Sequence, residues 1–290
     1  MTKRTLSIAL MCLFAIAACA QNLTKETRNV SAFTGIDASN AFSIELKKGA
    51  TQSVVIECEA QYLPHIKTEV RNGVLKIYYN NPARFSRNNS PFRAYITMNK
   101  ELDYVDLSGA CSLKTTDLFT PSRFKADLSG ASKVNGLRID AGDANIDISG
   151  ASTITMEVRF DRAAIDLSGA SKSNINGTIK QAIIDVSGAS KVNHHITSDR
   201  VKIEASGASN ISLEGEANQV KASLSGAASL SAEKFIVKEM DISISGAGRA
   251  NVYVTGVLRP NLSSGSKLNY QGFPQISNLK VSSGASINGR

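Results

Sequence analysis

The sequence predicts an all-β protein, a right-handed parallel β-helix with about 19 to 21 residues per coil. Three observations carry that prediction. The serine of each Ser-Gly pair recurs at Ser108, Ser129, Ser149, Ser168, Ser187, Ser206, Ser225, Ser245, Ser264 and Ser283, always 19 to 21 residues after the last. The repeated units are poor in Leu, Glu and Lys and rich in Gly, Ser, Ala, Ile and Val, the composition of strands and turns. Within each unit apolar and polar residues alternate, as along a strand with one buried side.

Residues 1–18 read as a secretory signal. Lys3 and Arg4 precede an uncharged stretch, 5–18, that is too short to span a bilayer. The stretch ends Ile16-Ala17-Ala18-Cys19, which resembles the lipobox of bacterial lipoproteins; Cys19 would then be the lipidated first residue of the mature chain, with an ordinary cleaved signal as the alternative. Ala20 stands where an aspartate would hold a lipoprotein at the inner membrane, so the outer membrane is the expected destination, on its cell-surface or periplasmic side. Acyl chains anchor stably because each buried CH₂ contributes roughly 0.8 kcal/mol. Residues 19–30 form a short tether. Losing Lys3 and Arg4 lowers the formal charge from +8 to +6, and nucleic acid is not an expected partner. Cys12 leaves with the signal. Cys58 and Cys111 remain in an oxidising compartment, either as a disulfide or as two buried thiols.

Residues 31–105 form an N-terminal β section that caps or begins the solenoid. Phe42, Ile44 and Leu46 alternate with polar residues, Lys48-Gly49 makes a turn, and Val54, Ile56 and Cys58 follow as a second strand. Residues 66–70 and 74–79 flank Asn72-Gly73, a strong hairpin signal. Residues 80–91 are a polar, basic loop, and 92–98 resume a strand. Residues 106–290 are the coils, about ten of them over roughly 45 Å.

In the coil at 163–181, Ile165, Leu167 and Ala170 face inward until Gly169 breaks the strand, and Ile175 and Ile179 belong to two further short segments around Asn176-Gly177. Each residue of a stacked solenoid lies about 4.8 Å above its equivalent, so a corner must be small. Gly109, Gly130, Gly150, Gly169, Gly188, Gly207, Gly226 and Gly246 are the corner residues. The alanines that follow, Ala110, Ala131, Ala151, Ala170, Ala189, Ala208, Ala227 and Ala247, are expected to stack inside. The recurring SGAS phrase is thus a structural corner.

The run FTGIDASNAFSIELKKG, together with the iterated DLSGAS, resembles the Bacteroidota family of putative auto-transporter adhesins with a head GIN domain, over nearly all of the mature chain. The resemblance implies an exported, β-helical envelope protein with adhesion as its role, and no catalytic residues to carry over. Autotransporters end in a membrane barrel, whereas VSSGASINGR shows no alternating apolar run, so the lipid is the expected anchor.

Two residues before the marker serines lie Asp106, Asp127, Asp147, Asp166, Asp185 and Glu204, then Ser223 and Ser243. In register these make an outward acidic ladder whose members repel and raise one another's pKa. It is either a cation site, with Ca²⁺ the expected ion, or a solvated row tempered by lysines. Lys133, Lys172, Lys191 and Arg249 form an interrupted basic row, suited to acidic glycans or to solubility. Tyr62, Tyr78, Tyr79, Tyr95 and Tyr104 either stack on sugar rings or pack the cap.

The function that follows is a non-enzymatic envelope lipoprotein presenting a β-helical surface to a glycan or protein ligand. A periplasmic scaffold is the alternative, and a polysaccharide-processing β-helix enzyme a second. The near-constant spacing leaves no long loops to roof an active site. His194 and His195 point to opposite faces, His65 follows Pro64 in a turn, and GAGRAN at 246–251 lies in the repeat register. No cofactor or metal is expected. A homo-oligomer would seal the last coil unless Phe273 and its loop fold over it.

Overall fold

The computed structural model describes residues 23–81 and 92–289. The signal, Cys19 and residues 82–91 of the basic loop lie outside them. The first strands are β1 (Leu23–Arg28), β2 (Gly35–Ala38), β3 (Phe42–Lys48), β4 (Ser53–Glu59), β5 (Ile66–Arg71), β6 (Val74–Tyr79), β7 (Phe92–Met98), β8 (Tyr104–Leu107), β9 (Ser112–Lys114), β10 (Leu118–Phe119) and β11 (Arg123–Leu128). The long strands follow: β12 (Lys133–Ile148), β13 (Thr153–Leu167), β14 (Lys172–Val186), β15 (Lys191–Ala205), β16 (Asn210–Leu224), β17 (Ser229–Ile244) and β18 (Arg249–Leu262). The last are β19 (Lys267–Gln271), β20 (Gln275–Ile276), β21 (Lys280–Val281) and β22 (Ser286–Gly289). They form one parallel β-solenoid of about 10 turns.

Each long strand makes nearly a whole coil and pairs in parallel with the coils before and after it. The separate short segments expected in each coil are therefore bends within one continuous strand. In β14 the inward alternation of Ser173, Ile175, Ile179, Ala182, Ile184 and Val186 skips where the chain turns, at 176–178 and 180–181. Two columns of strands lead into the solenoid. One runs β1, β4, β7, β3, β9, β12 and the other β5, β6, β2, β8, β11, β12. Only the outer pairs β1/β4, β4/β7 and β5/β6 are antiparallel. β1 occupies part of the expected tether. As outermost strands, β1 and β5 carry Lys25, Glu26, Arg28, Lys67, Glu69 and Arg71, charges that discourage edge-to-edge pairing.

The N-terminal section contains a coil of its own. Residues 37–42, DASNAF, lie on 106–111, DLSGAC, with Asp37 opposite Asp106 and Ala38 opposite Leu107. Asn40 takes the corner with φ 81°, and its carbonyl accepts the Ala110 N–H at 2.6 Å. Asparagine tolerates the left-handed region better than other residues with a Cβ, so this corner escapes a search for Ser-Gly pairs.

The corner assignment is visible at Gly169, where φ is 73° and a Cβ would stand 2.7 Å from the Gly150 carbonyl oxygen. That oxygen is engaged: it accepts the Ala170 N–H at 2.8 Å, and the same bond links glycine to alanine from Gly109 up to Ala247. The alanines are not inside. Ala110, Ala131, Ala151, Ala170, Ala189, Ala208, Ala227 and Ala247 are all exposed. After a left-handed glycine the next side chain is turned outward, and the inward place falls to the residue after it: Cys111, Ser132, Ser152, Ser171, Ser190, Ser209, Ala228 and Ser266 are buried. Small hydroxyls are tolerated there because many bond locally, as Ser132 Oγ does to the Ser129 carbonyl at 2.8 Å and Ser171 Oγ to Ser190 Oγ at 3.2 Å. In the last two coils the corner changes form, with Ser264 and Ser283 joining Gly265 and Gly284 at positive φ.

Cys58 and Cys111 are separate, buried free thiols, and burial pushes both up to about 11. Cys111 sits in the serine column, its Sγ 3.4 Å from the Phe42 N–H. Phe273 does not fold over the last coil and is fully exposed. Gly272, just before it, has φ 90°, and a Cβ there would fall on the Val254 carbonyl.

His194 is buried in an aliphatic column between Ile175 and Leu213, while His195 is exposed. His194 Nε2 lies 2.9 Å from Ser173 Oγ, and Nδ1 has no partner among the described residues. Desolvation lowers its pKa from 6.5 to about 3.

Replacing Gly169 with valine forces a β-branched residue into the left-handed region against a backbone oxygen, an expected cost on the order of 3 kcal/mol. Gly284→Ala, with nothing within 4 Å of the added Cβ, carries only the dihedral strain and should lower the thermal midpoint far less. Equal midpoints for the two variants in a calorimeter would remove the corner assignment. His194 binds a proton readily only when unfolded, so its contribution to stability is intact above pH 6.5 and falls on acidification toward pH 3, by about 1.4 kcal/mol per pH unit at most. Urea melts of His194→Leu should therefore lose less stability than wild type between pH 6.5 and pH 4.

Candidate functional site

The corners form a ridge parallel to the solenoid axis, and the two flanks of that ridge carry different chemistry. On one flank the strands run into the corner as polar-apolar-Ser, the first residue being Asp in most coils, so that the first and third side chains point outward on either side of a buried one. Pairing puts Asp37, Asp106, Asp127, Asp147, Asp166, Asp185 and Glu204 in one unbroken column, continued by Ser223, Ser243 and Asn261. Between this column and the marker serines runs a groove of about 580 Å³, from Asp147 at one end to Asn261 and Ser263 at the other. The column expected from the sequence is thus in register, and one residue longer through Asp37.

Its electrostatics vary along its length. At the start, Lys76 meets Asp37 at 2.8 Å, Tyr104 donates to Asp106 at 3.0 Å and to Asp127 at 3.2 Å, and Lys125 meets Asp127 at 2.8 Å. Asn145 donates to Asp147 at 2.9 Å, and at the far end Lys202 meets Glu204 at 2.6 Å. Each of these helpers from Tyr104 on lies two residues before its acid, on the same face of the strand. At the middle that place holds Ala164 and Ile183, and Asp166 and Asp185 have no hydrogen-bond or ion-pair partner among the described residues. Ile183 is itself 44% exposed beside them.

Burial and then the neighbouring carboxylates raise the pKa of Asp185; burial and then Asp127 raise that of Asp147. Burial, with Asp37 and Asp127, raises that of Asp106, and Lys202 lowers that of Glu204. On other faces opposite charges often meet between coils, as in Arg138–Glu157, Arg162–Asp143 and Lys180–Asp161, although Lys172 stacks on Lys191 and Lys202 on Lys221. Seven acids in consecutive coils with no base among them make this column a site of repulsion. Among the described residues no three His, Cys, Asp or Glu side chains converge to hold a metal ion.

On the other flank the first outward residue after each corner is Ser112, Lys133, Thr153, Lys172, Lys191, Asn210, Ser229, Arg249 or Lys267, stacked in that order. The basic row is real and gains Lys267. Beside it lies an amide column that periodicity alone did not single out. Asn193 donates to Asn174 at 3.0 Å, Asn269 to Asn251 at 2.7 Å, and Asn288 to Asn269 at 3.3 Å. Its signal was the Asn two residues after the basic position, as in KSN, KVN and KLN.

The tyrosines divide. Tyr62 and Tyr79 pack with Phe42 and Phe92, ring centroids 5.2 to 6.2 Å apart, at the entrance to the solenoid. Tyr95 and Arg93 hold the buried Glu57, with Lys25 of β1 3.4 Å away, which lowers the Glu57 pKa chiefly through Arg93. Tyr78 lies 3.3 Å from Glu69. Ser173 and His194 are close enough to suggest a nucleophile and base, but both are sealed in the core and no carboxylate orients the ring.

A model of the family described as Putative auto-transporter adhesin, head GIN domain, matches residues 32–195 and, in a second overlapping match, 163–274. Among solved structures, a putative adhesin from Parabacteroides distasonis is similar over 93% of this chain and 98% of its own, at 16% identity and a TM-score of 0.54. A putative lipid binding protein from the same species is 18% identical, with a TM-score of 0.46 over 93% of this chain and 98% of its own. A putative adhesin from Parabacteroides merdae is 13% identical, also at 0.46, over 92% and 96%. At such identities the likeness shows the fold alone. No curated protein matches the chain.

If the ladder stores repulsion, neutralising its least compensated member should stabilise the protein. Asp185→Asn is expected to add about 0.5 to 1 kcal/mol at pH 7, raising the thermal midpoint by 1 to 3 °C or so. A carboxyl with a raised pKa costs stability above that pKa and ceases to do so as it protonates, so the gain should shrink as pH falls through the carboxylate range. Melts at pH 7 and pH 3.5 check both the sign and the trend.

Proposed function

The chain belongs to the family of putative auto-transporter adhesins with a head GIN domain, and on that footing we propose that it is a cell-envelope lipoprotein that binds an extended ligand along its solenoid. Cys19 carries the lipid, and the outer membrane holds the protein with its solenoid toward the outside. The protein acts by adhesion and not by catalysis. The observation that carries the reading is the register of the two flanks. Carboxylates and hydroxyls line a groove on one side and amides and cations, interrupted by small polar residues, the other; the coils that carry them lie about 4.8 Å apart, so a polymer with repeating units would meet similar contacts several times. Many weak contacts on a rigid support give avidity without any deep pocket. Only residues 20–22 separate Cys19 from β1 in sequence, which supports a mounting in which the antiparallel cap lies near the membrane.

Intact cells treated with a non-permeant protease, with a periplasmic protein as control, test the location. Rapid loss of this protein with the control spared is the expected result. Protection until the outer membrane is opened would turn the reading to a periplasmic scaffold. In the same cells Cys19→Ser should abolish incorporation of labelled palmitate and release the protein from the membrane fraction; retained label would remove the lipoprotein assignment.

A further inference from the structure

We propose that the flank carrying the basic and amide columns is a binding face for a linear acidic polysaccharide. This deepens the adhesin reading by naming the ligand's chemistry, but its test does not depend on where in the envelope the protein resides. The two columns comprise the first and second outward residues after each corner, from Ser112 and Lys114 to Ser286 and Asn288. Six of them are cations, Lys114, Lys133, Lys172, Lys191, Arg249 and Lys267, all exposed; Glu45 lies beside Lys114 in the coil that starts the second column, and no carboxylate follows it in either column through Asn288.

None of the six makes an ion pair or side-chain hydrogen bond among the described residues. Elsewhere on the solenoid, Lys125, Arg138, Arg159, Arg162, Lys180, Lys202, Lys234 and Arg259 are each matched to an acid. Unpaired bases stand on the other faces too, at Arg123, Arg200, Lys221, Lys238 and Lys280, but there acids share the columns, as Asp143 does with Arg123 and Asp241 with Lys221, whereas from Lys133 to Asn288 these two columns hold bases and no acid. The line runs about 38 Å, eight coil spacings, along the axis. Unbalanced charge of one sign on a flat, rigid strip attracts a long polyanion and lets several anionic groups be met together.

The neighbouring column argues for a sugar over other polyanions. Its asparagines are tied across coils in two groups, Asn174 with Asn193 and Asn251 with Asn269 and Asn288, at 2.7 to 3.3 Å, so these amides are held at fixed spacing beside the cations, where glycan hydroxyls can share hydrogen bonds. No aromatic side chain stands in either column from Ser112 to Asn269 to stack a nucleobase, which single-stranded nucleic acid binding relies on. The acidic groove across the ridge would repel the same ligand, confining it to this flank.

Calorimetric titration of the purified protein at 50 mM salt would use oligogalacturonate as the acidic glycan, dextran as its uncharged counterpart and single-stranded DNA as a polyanion without sugar-acid groups. Saturable binding of oligogalacturonate that weakens steeply as salt is raised, with none of dextran, is expected. The triple variant Lys133→Gln, Lys172→Gln, Lys191→Gln should bind about tenfold more weakly, whereas Lys180→Gln, on another face, should bind like wild type. Thermal melts of both variants establish that the fold is kept. Absence of oligogalacturonate binding, or equal affinity in a folded triple variant, would overturn the proposal. DNA binding as tight as that of the glycan would overturn the assignment to a sugar. A protein found on the periplasmic side could still pass this test, and one found on the surface could fail it.

Discussion

Everything in this molecule rests on the close approach of one corner to the next. At each corner an alanine N–H reaches the carbonyl of the glycine in the coil beneath, at 2.6 to 2.9 Å counting the Asn40 corner that starts the series. A side chain on the glycine would fall on that same oxygen, within 2.4 to 3.0 Å from Gly109 to Gly246. The bond and the missing Cβ are therefore one constraint seen from two sides. Because it recurs in every coil through Gly246, it locks the register of the strands on both sides of the corner, and residues that share a place in the repeat must share a column.

That locking explains how a column of like charges can persist. In a single sheet, carboxylates opposite one another would favour a slipped register or a pairing with cations. Here slippage would pull every corner off its carbonyl and turn the aliphatic columns of Ile146, Ile165, Ile184 and Ile203 out of the core. The repulsion is small beside that loss, so it is borne and not relieved. On the faces where nothing requires a single sign, oppositely charged residues meet between coils, as in Arg162 with Asp143 at 2.6 Å. Exposed pairs of this kind each contribute little, and the contrast matters for what it says about the two flanks.

The two ends of the stack are managed differently from its middle. At the first end the direction of pairing reverses in three strand pairs, β1/β4, β4/β7 and β5/β6, and charged residues occupy the outer strands. An aromatic cluster around Phe92 fills the wider space that short strands leave at the entrance. At the other end the corner adopts two consecutive positive φ angles, and Ile276, Leu279 and Val281 are exposed along with Phe273. Repeats next to an end lack one neighbour and are accordingly the atypical ones.

The architecture, the coil length and the position of every glycine corner from Gly109 to Gly246 are legible in the order of residues alone. Those follow from a period that survives substitution and from the one residue type that leaves room for the carbonyl of the coil beneath. That order also determined that Asp106 to Glu204 share one column, since equal spacing in a solenoid means equal height and face. Only the tertiary structure decided which way the residues beside a corner point. The alternation that assigns a side chain to a face holds along a strand and fails across a left-handed turn, so the alanines went outward and the serines inward. The coil at 37–42 was hidden because its corner is Asn40, whose capacity for positive φ is ordinary in a list of residues and decisive only beneath Gly109. That Asp166 and Asp185 stand without a partner, while Lys133, Lys172 and Lys191 stand without an acid, depends on side-chain proximity between coils 19 to 20 residues apart. Contact at that distance is a property of the stack.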